Sequence, residues 1–171
     1  MSDKIYNVLF LCTGNSARSI LGEAVMNKLG AGRFKAWSAG SQPKGEVHPM
    51  ALSVLNGMGY DTTGLYSKSW NEFSKPGSPE FDFIFTVCDN AAGESCPVFP
   101  GKAITAHWGV EDPAAVEGEG QRDAFLQALR YLTNRISLFL TLPHASIDEM
   151  AMKQKLKEIG KIEGASSGAS A

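Results

Sequence analysis

A short apolar run that passes directly into a glycine-containing loop and then a helix pattern most limits what this chain can fold into. Residues Ile5 to Leu11 are apolar at almost every position, as in a strand buried on both faces of a parallel sheet. From Ala17 to Leu29 apolar residues recur at helical spacing, and Gly30 follows, which predicts a helix and its end. Strand, loop and helix in this order open a βαβ unit, so we expect an α/β protein with a parallel sheet.

Strand and helix patterns alternate along the rest of the chain. Further strands are predicted at Phe34 to Ser38, Phe81 to Val87 and, more weakly, Ile104 to Trp108. Further helices are predicted from Met50 to Gly57 or Gly59, from Gln121 to Leu142 and, after Ser146, up to Ile159. The polar segment from Asp61 to Pro79 is predicted to be irregular. We expect one domain over residues 1–145, a helical extension over 146–163 and a mobile Gly, Ser and Ala tail over 164–171.

Composition excludes several classes of protein. Sixteen Lys and Arg against eighteen acids give the 171 residues a net charge of -2, which does not favour nucleic acid as a partner. No apolar run approaches the ~20 residues that span a bilayer, and the N-terminal run does not have the pattern of a signal peptide. Three cysteines are too few for a secreted disulfide scaffold, so we expect a cytoplasmic protein with reduced thiols.

The stretch that carries chemistry is Cys12-Thr13-Gly14-Asn15-Ser16-Ala17-Arg18-Ser19, between the first strand and the first helix. A loop at this place can turn its backbone N–H groups inward, and together with the helix N-terminus they favour an anion at its centre. Cys12 would lie at the bottom of this cradle. Because the positive environment stabilises a thiolate, we expect Cys12 to have a lowered pKa and to act as a nucleophile.

Two further residues of the loop suit a tetrahedral oxyanion. The planar guanidinium of Arg18 can bind two of its oxygens, which Lys cannot do in the same geometry. Ser19 would place a hydroxyl donor near the cysteine sulfur. The pattern Cys-x5-Arg-Ser between a strand and a helix therefore predicts an oxyanion site with a nucleophilic thiol.

These residues resemble the low-molecular-weight protein tyrosine phosphatases and the arsenate reductases built on the same fold. The resemblance runs from Tyr6 to about Leu142 and includes Trp37-Ser38-Ala39-Gly40 after the second strand and Asp112-Pro113 before the long last helix. It implies a four-stranded parallel sheet flanked by helices, in a flavodoxin-like three-layer sandwich. It also implies Cys12 as nucleophile, Arg18 as oxyanion binder and Asp112 as general acid.

An acid at position 112 makes chemical sense, because expelling an oxygen leaving group requires a proton donor opposite the attacking sulfur. Glu111 is the neighbouring alternative. Asn15 is interpreted as a loop-shaping residue that tolerates a left-handed backbone. In some reductases of this fold, residues matching Asn15, Glu23 and Ser38 bind potassium, but the fourth ligand, an aspartate, falls near Trp70 in this chain, so no metal is assigned.

The other two cysteines favour the reductase branch. The third strand leads directly into Cys88, and Cys96 stands just before a proline, a pattern that resembles the thiol relay of these reductases. Carboxyl ends of parallel strands meet at one edge of a sheet, so Cys88 is expected beside the Cys12 loop. Ala114-Ala115 stands where the phosphatases carry tyrosines that pack the phosphotyrosine ring.

The sequence thus predicts thiol-dependent reduction of arsenate to arsenite, with Cys12, Arg18, Asp112, Cys88 and Cys96 as the catalytic residues. No cofactor is expected, but thioredoxin, or glutathione with glutaredoxin, must restore the dithiol. The alternatives are an aryl phosphatase that uses Cys12, Arg18 and Asp112, and a module that only binds oxyanions. A zinc site with His107 is disfavoured because no ligand pair accompanies it, and His48 and His144 are interpreted as packed or solvated. We expect a monomer.

Overall fold

The computed structural model describes residues 4–87 and 102–164, and its helices and strands alternate as predicted. The strands are β1 (Tyr6–Cys12), β2 (Phe34–Gly40), β3 (Phe83–Thr86) and β4 (Ile104–His107), and the helices are α1 (Arg18–Leu29), α2 (Pro49–Gly57), α3 (Gln121–Leu140) and α4 (Glu149–Ile159). Cys88, Cys96 and nearly all of the predicted mobile tail lie outside the described residues.

The four strands form one parallel sheet in the order β2-β1-β3-β4. Cys12 is paired with Gly40, and Leu11 with Thr86, so the carboxyl ends of the strands lie at the same edge. The α/β class and the four-stranded parallel sheet are therefore confirmed. Since a central strand is covered on both faces, β1 is apolar at consecutive positions rather than at alternate ones.

Each face of the sheet has its own apolar core. On one face, Val8 and Phe10 of β1 belong to the same cluster as the buried residues of all four described helices. On the other face, Leu9 and Leu11 pack in a smaller cluster that includes Trp70. A 3-10 helix, Trp70–Phe73, supplies that residue, so a short regular element interrupts the segment that was predicted to be irregular.

Helix α4 packs against the end of β4. The indole N–H of Trp108 donates to the carbonyl of Leu156 at 3.0 Å, and a Cβ on Gly160 would lie 2.4 Å from the carbonyl oxygen of His107. The helix is therefore fixed to the sheet by a close backbone contact that only glycine permits. Across both described ranges, no helix is long and apolar enough to cross a membrane.

Candidate active site

The loop between β1 and α1 forms the wall of a cavity of about 410 Å³ at the carboxyl edge of the sheet. Cys12, the last residue of β1, is 5% exposed. The cavity lining consists of the loop residues Cys12, Thr13, Gly14, Asn15, Ser16, Ala17 and Arg18 together with Gln42, Lys44, Asp112 and Ala114. The predicted nucleophile, oxyanion binder and acid thus share one cavity.

Backbone hydrogen bonds from the segment after β2 orient this loop. The amides of Gln42, Lys44 and His48 donate to the carbonyls of Thr13, Gly14 and Ser16 at 2.9, 3.0 and 2.8 Å. The C=O and N–H of a trans peptide point in opposite directions. The N–H groups that share a peptide with these three carbonyls therefore point away from residues 42–48, toward the space that the loop encloses. Within the described part of the chain, the amides of residues 14–18 donate to no acceptor, which leaves them available to an anion.

Gly40 allows the loop to lie directly on the end of β2. A Cβ at this position would be 2.4 Å from the carbonyl oxygen of Thr13 and 2.7 Å from that of Cys12. Any side chain would push the loop away from the sheet. The glycine of the Ser-Ala-Gly, which forms the end of β2, is thereby explained by backbone contact with the cysteine loop.

Asn15 holds the loop from inside. It is the only non-glycine residue with a positive φ in the described ranges, at 44°, which agrees with its prediction as a loop-shaping residue. Its side-chain NH₂ donates to Ser19 Oγ at 2.8 Å and to Ser38 Oγ at 3.0 Å, and its carbonyl accepts from the amide of Lys68 at 2.9 Å. These three bonds offset the cost of the left-handed backbone.

A buried charge pair supports this network. Ser38 donates to Glu23 Oε1 at 2.5 Å, and the Lys68 ammonium lies 3.9 Å from the same oxygen. Burial raises the pKa of Glu23, whereas the Ser38 hydrogen bond and the Lys68 charge lower it. Burial likewise lowers the pKa of Lys68, against the attraction of Glu23.

The residues around Glu23 do not fit a potassium ion. A potassium ion beside Asn15, Glu23 and Ser38 would face the Lys68 ammonium, which already lies against the carboxylate and donates to the carbonyl of Tyr66 at 2.9 Å. Like charges at this separation repel strongly in a buried place. The described residues also contain no group of three or more His, Cys, Asp and Glu that could hold a metal ion.

Arg18 begins α1 and connects the loop to the acid segment. One guanidinium nitrogen donates to the carbonyl of Val110 at 3.0 Å, and another lies 3.8 Å from Asp112 Oδ2. The side chain is 16% exposed. A guanidinium held on one side in this way keeps its remaining donors for a ligand.

Asp112 stands at the start of a 3-10 helix, Pro113–Ala115, and its side chain is 43% exposed. Its Oδ1 accepts from the amide of Ala114 at 3.0 Å, which leaves Oδ2 toward Arg18. Glu111, the alternative acid, lines a neighbouring cavity and not the one that contains Cys12. The geometry therefore favours Asp112 over Glu111 as the acid nearest the loop.

The described segment that contains β3 ends at Val87, one residue before Cys88. There the amide of Val87 donates to the carbonyl of Leu11 at 2.9 Å, and Leu11 precedes Cys12. Consecutive Cα atoms are ~3.8 Å apart, so the backbone leaves the described part close to the cysteine loop.

The three histidines have structural contacts. His48 accepts from the amide of Met50 at 3.0 Å and caps α2, and His107 is bonded to Thr86 Oγ1 at 2.7 Å. His144 is bonded to the carbonyl of Phe139 at 2.8 Å, and burial lowers its pKa.

Gln42, Lys44 and Lys68 are the site residues that the sequence did not indicate. Gln42 and Lys44 stand in a Gly- and Pro-rich turn, and Lys68 in a polar segment without periodicity. A lysine in either place is usually a solvated surface residue, so no sequence signal distinguished these two.

The comparisons with known proteins agree with this geometry. Residues 7–161 match the low molecular weight phosphotyrosine protein phosphatase family, and the chain belongs to this family of enzymes. Among its relatives are arsenate reductases of Oceanobacillus iheyensis and Bacillus subtilis, each 33% identical over 141 residues, which are 81% of this chain and 96% of each relative.

Solved structures show the same fold. An arsenate reductase of Archaeoglobus fulgidus superposes with a TM-score of 0.57 at 28% identity, over 76% of this chain and 98% of that one. A structure described as an arsenate reductase in the phosphate binding state gives 0.60 at 28% identity, over 78% and 98%. The chain is thus similar in both sequence and fold to proteins named arsenate reductases.

Proposed function

We propose that this protein reduces arsenate to arsenite. One hydrogen bond supports the thiol relay that reduction needs: the 2.9 Å contact between the Val87 amide and the Leu11 carbonyl. It holds the residue before Cys88 against the residue before Cys12, where a second thiol is needed. The relatives named arsenate reductases add independent support.

The first step forms a bond between arsenic and the Cys12 sulfur. The thiolate attacks arsenate bound by the loop amides and Arg18. One arsenic–oxygen bond breaks, and Asp112 protonates the departing oxygen, which leaves as water. The product is a Cys12 thiol–arsenate adduct in which arsenic is still pentavalent.

The second step transfers the electrons. The Cys88 thiolate attacks the Cys12 sulfur, a Cys12–Cys88 disulfide forms, and the sulfur–arsenic bond breaks with its electron pair on arsenic. Arsenic is thereby reduced to the trivalent state and leaves as arsenite. Cys96 then attacks the Cys88 sulfur, which releases the Cys12 thiolate and leaves a Cys88–Cys96 disulfide.

An external thiol donor must reduce that disulfide, and we propose thioredoxin or glutathione with glutaredoxin. This cycle requires an environment that keeps the thiols reduced, so we propose that the protein acts in the cytoplasm. We further propose that it is a monomer. Nothing in the chemistry requires nucleic acid or a membrane.

The second candidate function is hydrolysis of aryl phosphates through a phosphocysteine. The family to which the chain belongs favours it, and it would use the same Cys12, Arg18 and Asp112. Against it, no aromatic residue is among the described residues that line the cavity, and Ala114 is present at its mouth. The wall therefore offers an aryl ring little to pack against.

Cys88→Ser distinguishes these functions, with Lys153→Ser on exposed α4 as the matched control. We expect Cys88→Ser to abolish arsenite formation while hydrolysis of an aryl phosphate stays within about twofold of the wild type, since only the relay needs Cys88. Full reductase turnover in Cys88→Ser would refute the relay. If the wild-type protein hydrolyses the ester but forms no arsenite, it is a phosphatase, and if it does neither but binds the anion, it is an oxyanion-binding module.

A further inference from the structure

Lys44 is a cation at the mouth of the cavity whose role the mechanism above does not use. It lines the same space as Cys12, Arg18 and Asp112, and it is exposed. Among the residues that the structure describes, no carboxylate lies within ion-pair distance of its ammonium. Its charge is therefore available to an incoming anion.

The position of Lys44 is set by its backbone and by its aliphatic chain. Its amide donates to the carbonyl of Gly14 at 3.0 Å. A Cβ on residue 14 would lie 3.3, 3.5 and 3.6 Å from Cε, Cγ and Cδ of Lys44, so the methylene groups cross directly over the glycine. Packing of the stem on the loop holds the side chain along the lining of the cavity, with its charged end toward solvent.

The balance of charges in the cavity favours a second cation. Arg18 already shares its charge with Asp112, at 3.8 Å. A tetrahedral oxyanion near neutral pH is a mixture of singly and doubly charged forms, and it must approach the Cys12 thiolate. One partly neutralised guanidinium leaves excess negative charge in this space, which a second cation would offset.

We propose that Lys44 is the second oxyanion-binding cation of this site. This inference deepens the proposed function and rests on it for the identity of the substrate, arsenate. Lys44 acts on capture of the anion and not on the chemical steps. Its removal is therefore expected to change KM and leave kcat nearly unaltered.

The test measures binding without turnover. In a full-length protein carrying Cys88→Ser and Cys96→Ser, Cys12 is the only remaining cysteine. Inorganic phosphate or arsenate should protect it from the neutral reagent iodoacetamide. We expect Lys44→Met, which keeps an apolar stem, to weaken protection about tenfold, while Lys44→Arg and the control Lys153→Met stay within about twofold. Added salt should weaken protection of the Lys44 protein more than that of Lys44→Met.

Protection of Lys44→Met equal to that of its parent, or equal salt dependence of the two, would overturn the inference. An equal loss in Lys44→Arg would also overturn it, because the positive charge would then not be what binds. The protection assay needs no turnover, so failure of the inference and failure of the proposed function give different results. Weakened protection in Lys44→Met together with no arsenite formation by the wild type would reject the reductase and leave the role of Lys44 in place.

Discussion

The two sides of the cavity differ in how firmly they are held. On one side the cysteine loop is fixed by backbone bonds from residues 42–48 and by the buried contacts of Asn15 and Ser38. On the other side Asp112 is 43% exposed, and its carboxylate is held by one hydrogen bond within its own turn and a long contact to Arg18. The binding wall is rigid, and the acid is loosely held.

This difference matches the separate tasks of the two sides. Stabilising an anion depends on dipoles that are already oriented, since reorienting them during the reaction would cost free energy. A proton donor must reach an oxygen whose position changes as the bond breaks, which an exposed carboxylate on a short turn can do. We therefore expect substitutions on the loop side to change stability and binding together, and substitutions at the acid to change turnover alone.

The largest effect is expected at Asp112. Asp112→Asn retains the oxygen that accepts from the Ala114 amide but removes the proton, so kcat for arsenite formation should fall about a thousandfold. The melting temperature should not fall, and phosphate should protect Cys12 from alkylation at least as well as in the wild type. Steady-state kinetics, calorimetry and alkylation measure the three quantities.

Glu111→Gln is the matched control for Asp112→Asn, because Glu111 lines the neighbouring cavity. Its kcat should remain near that of the wild type. The reverse result, a large loss of kcat in Glu111→Gln and a small one in Asp112→Asn, would mean that Glu111 and not Asp112 donates the proton.

On the loop side, Gly40→Ala should reduce the free energy of unfolding by about 3 kcal/mol, since its Cβ would lie 2.4 Å from a loop carbonyl. Oxyanion protection of Cys12 should fall with it. Gly57→Ala, at a helical glycine with only the end of the Arg122 side chain nearby, should be neutral or stabilising. Denaturant unfolding of both proteins checks this. A Gly40→Ala protein with unchanged stability would show that the loop is not rigid.

A smaller effect is expected for Lys68→Met, about 2 kcal/mol at neutral pH, because Glu23 then lacks its buried partner. The pKa of Glu23 is already raised by burial, and loss of Lys68 should raise it further. A raised pKa in the folded state means that the folded protein binds the proton more tightly than the unfolded chain does. The variant should therefore lose stability as the pH rises from 4.5, the ordinary pKa of a glutamate, through the raised pKa of Glu23 in the folded protein.

Denaturant titrations across this pH range measure that slope. Adding Glu23→Gln to Lys68→Met should recover most of the stability and remove the pH dependence, because no buried charge remains. Lys153→Met, on exposed α4, should change neither. A profile for Lys68→Met with the same slope as that of the wild type would mean that Lys68 and Glu23 are not coupled.

The smallest effect is expected at His144, which does not line the cavity, so its substitution should change stability without changing anion binding. Burial lowers the pKa of His144 below its ordinary 6.5, so the unfolded chain binds more protons below that value. The wild type should therefore lose a little stability as pH falls from 6.5 through the folded pKa, and His144→Phe should lack this loss. Thermal melts against pH test it, with phosphate protection expected to be the same in the two proteins at pH 7.

The parts of the site that sequence could predict are those in which order along the chain fixes position. A buried strand, a loop and a helix in succession place Cys12, Asn15 and Arg18 without further information. Lys68 could not be found in this way, since its contact with Asn15 joins residues 53 apart across an aperiodic segment. Trp70 was missed as a core residue because the polar residues around it conceal a short helix that buries Trp70 and Phe73.

Arsenite formation from arsenate by the purified wild-type protein decides between reduction and hydrolysis. It should be measured in parallel with thioredoxin plus its reductase and with glutathione plus glutaredoxin, alongside Cys88→Ser. We expect catalytic turnover with one of these donors and none for Cys88→Ser with either. Hydrolysis of an aryl phosphate with no arsenite from either mixture would contradict this expectation.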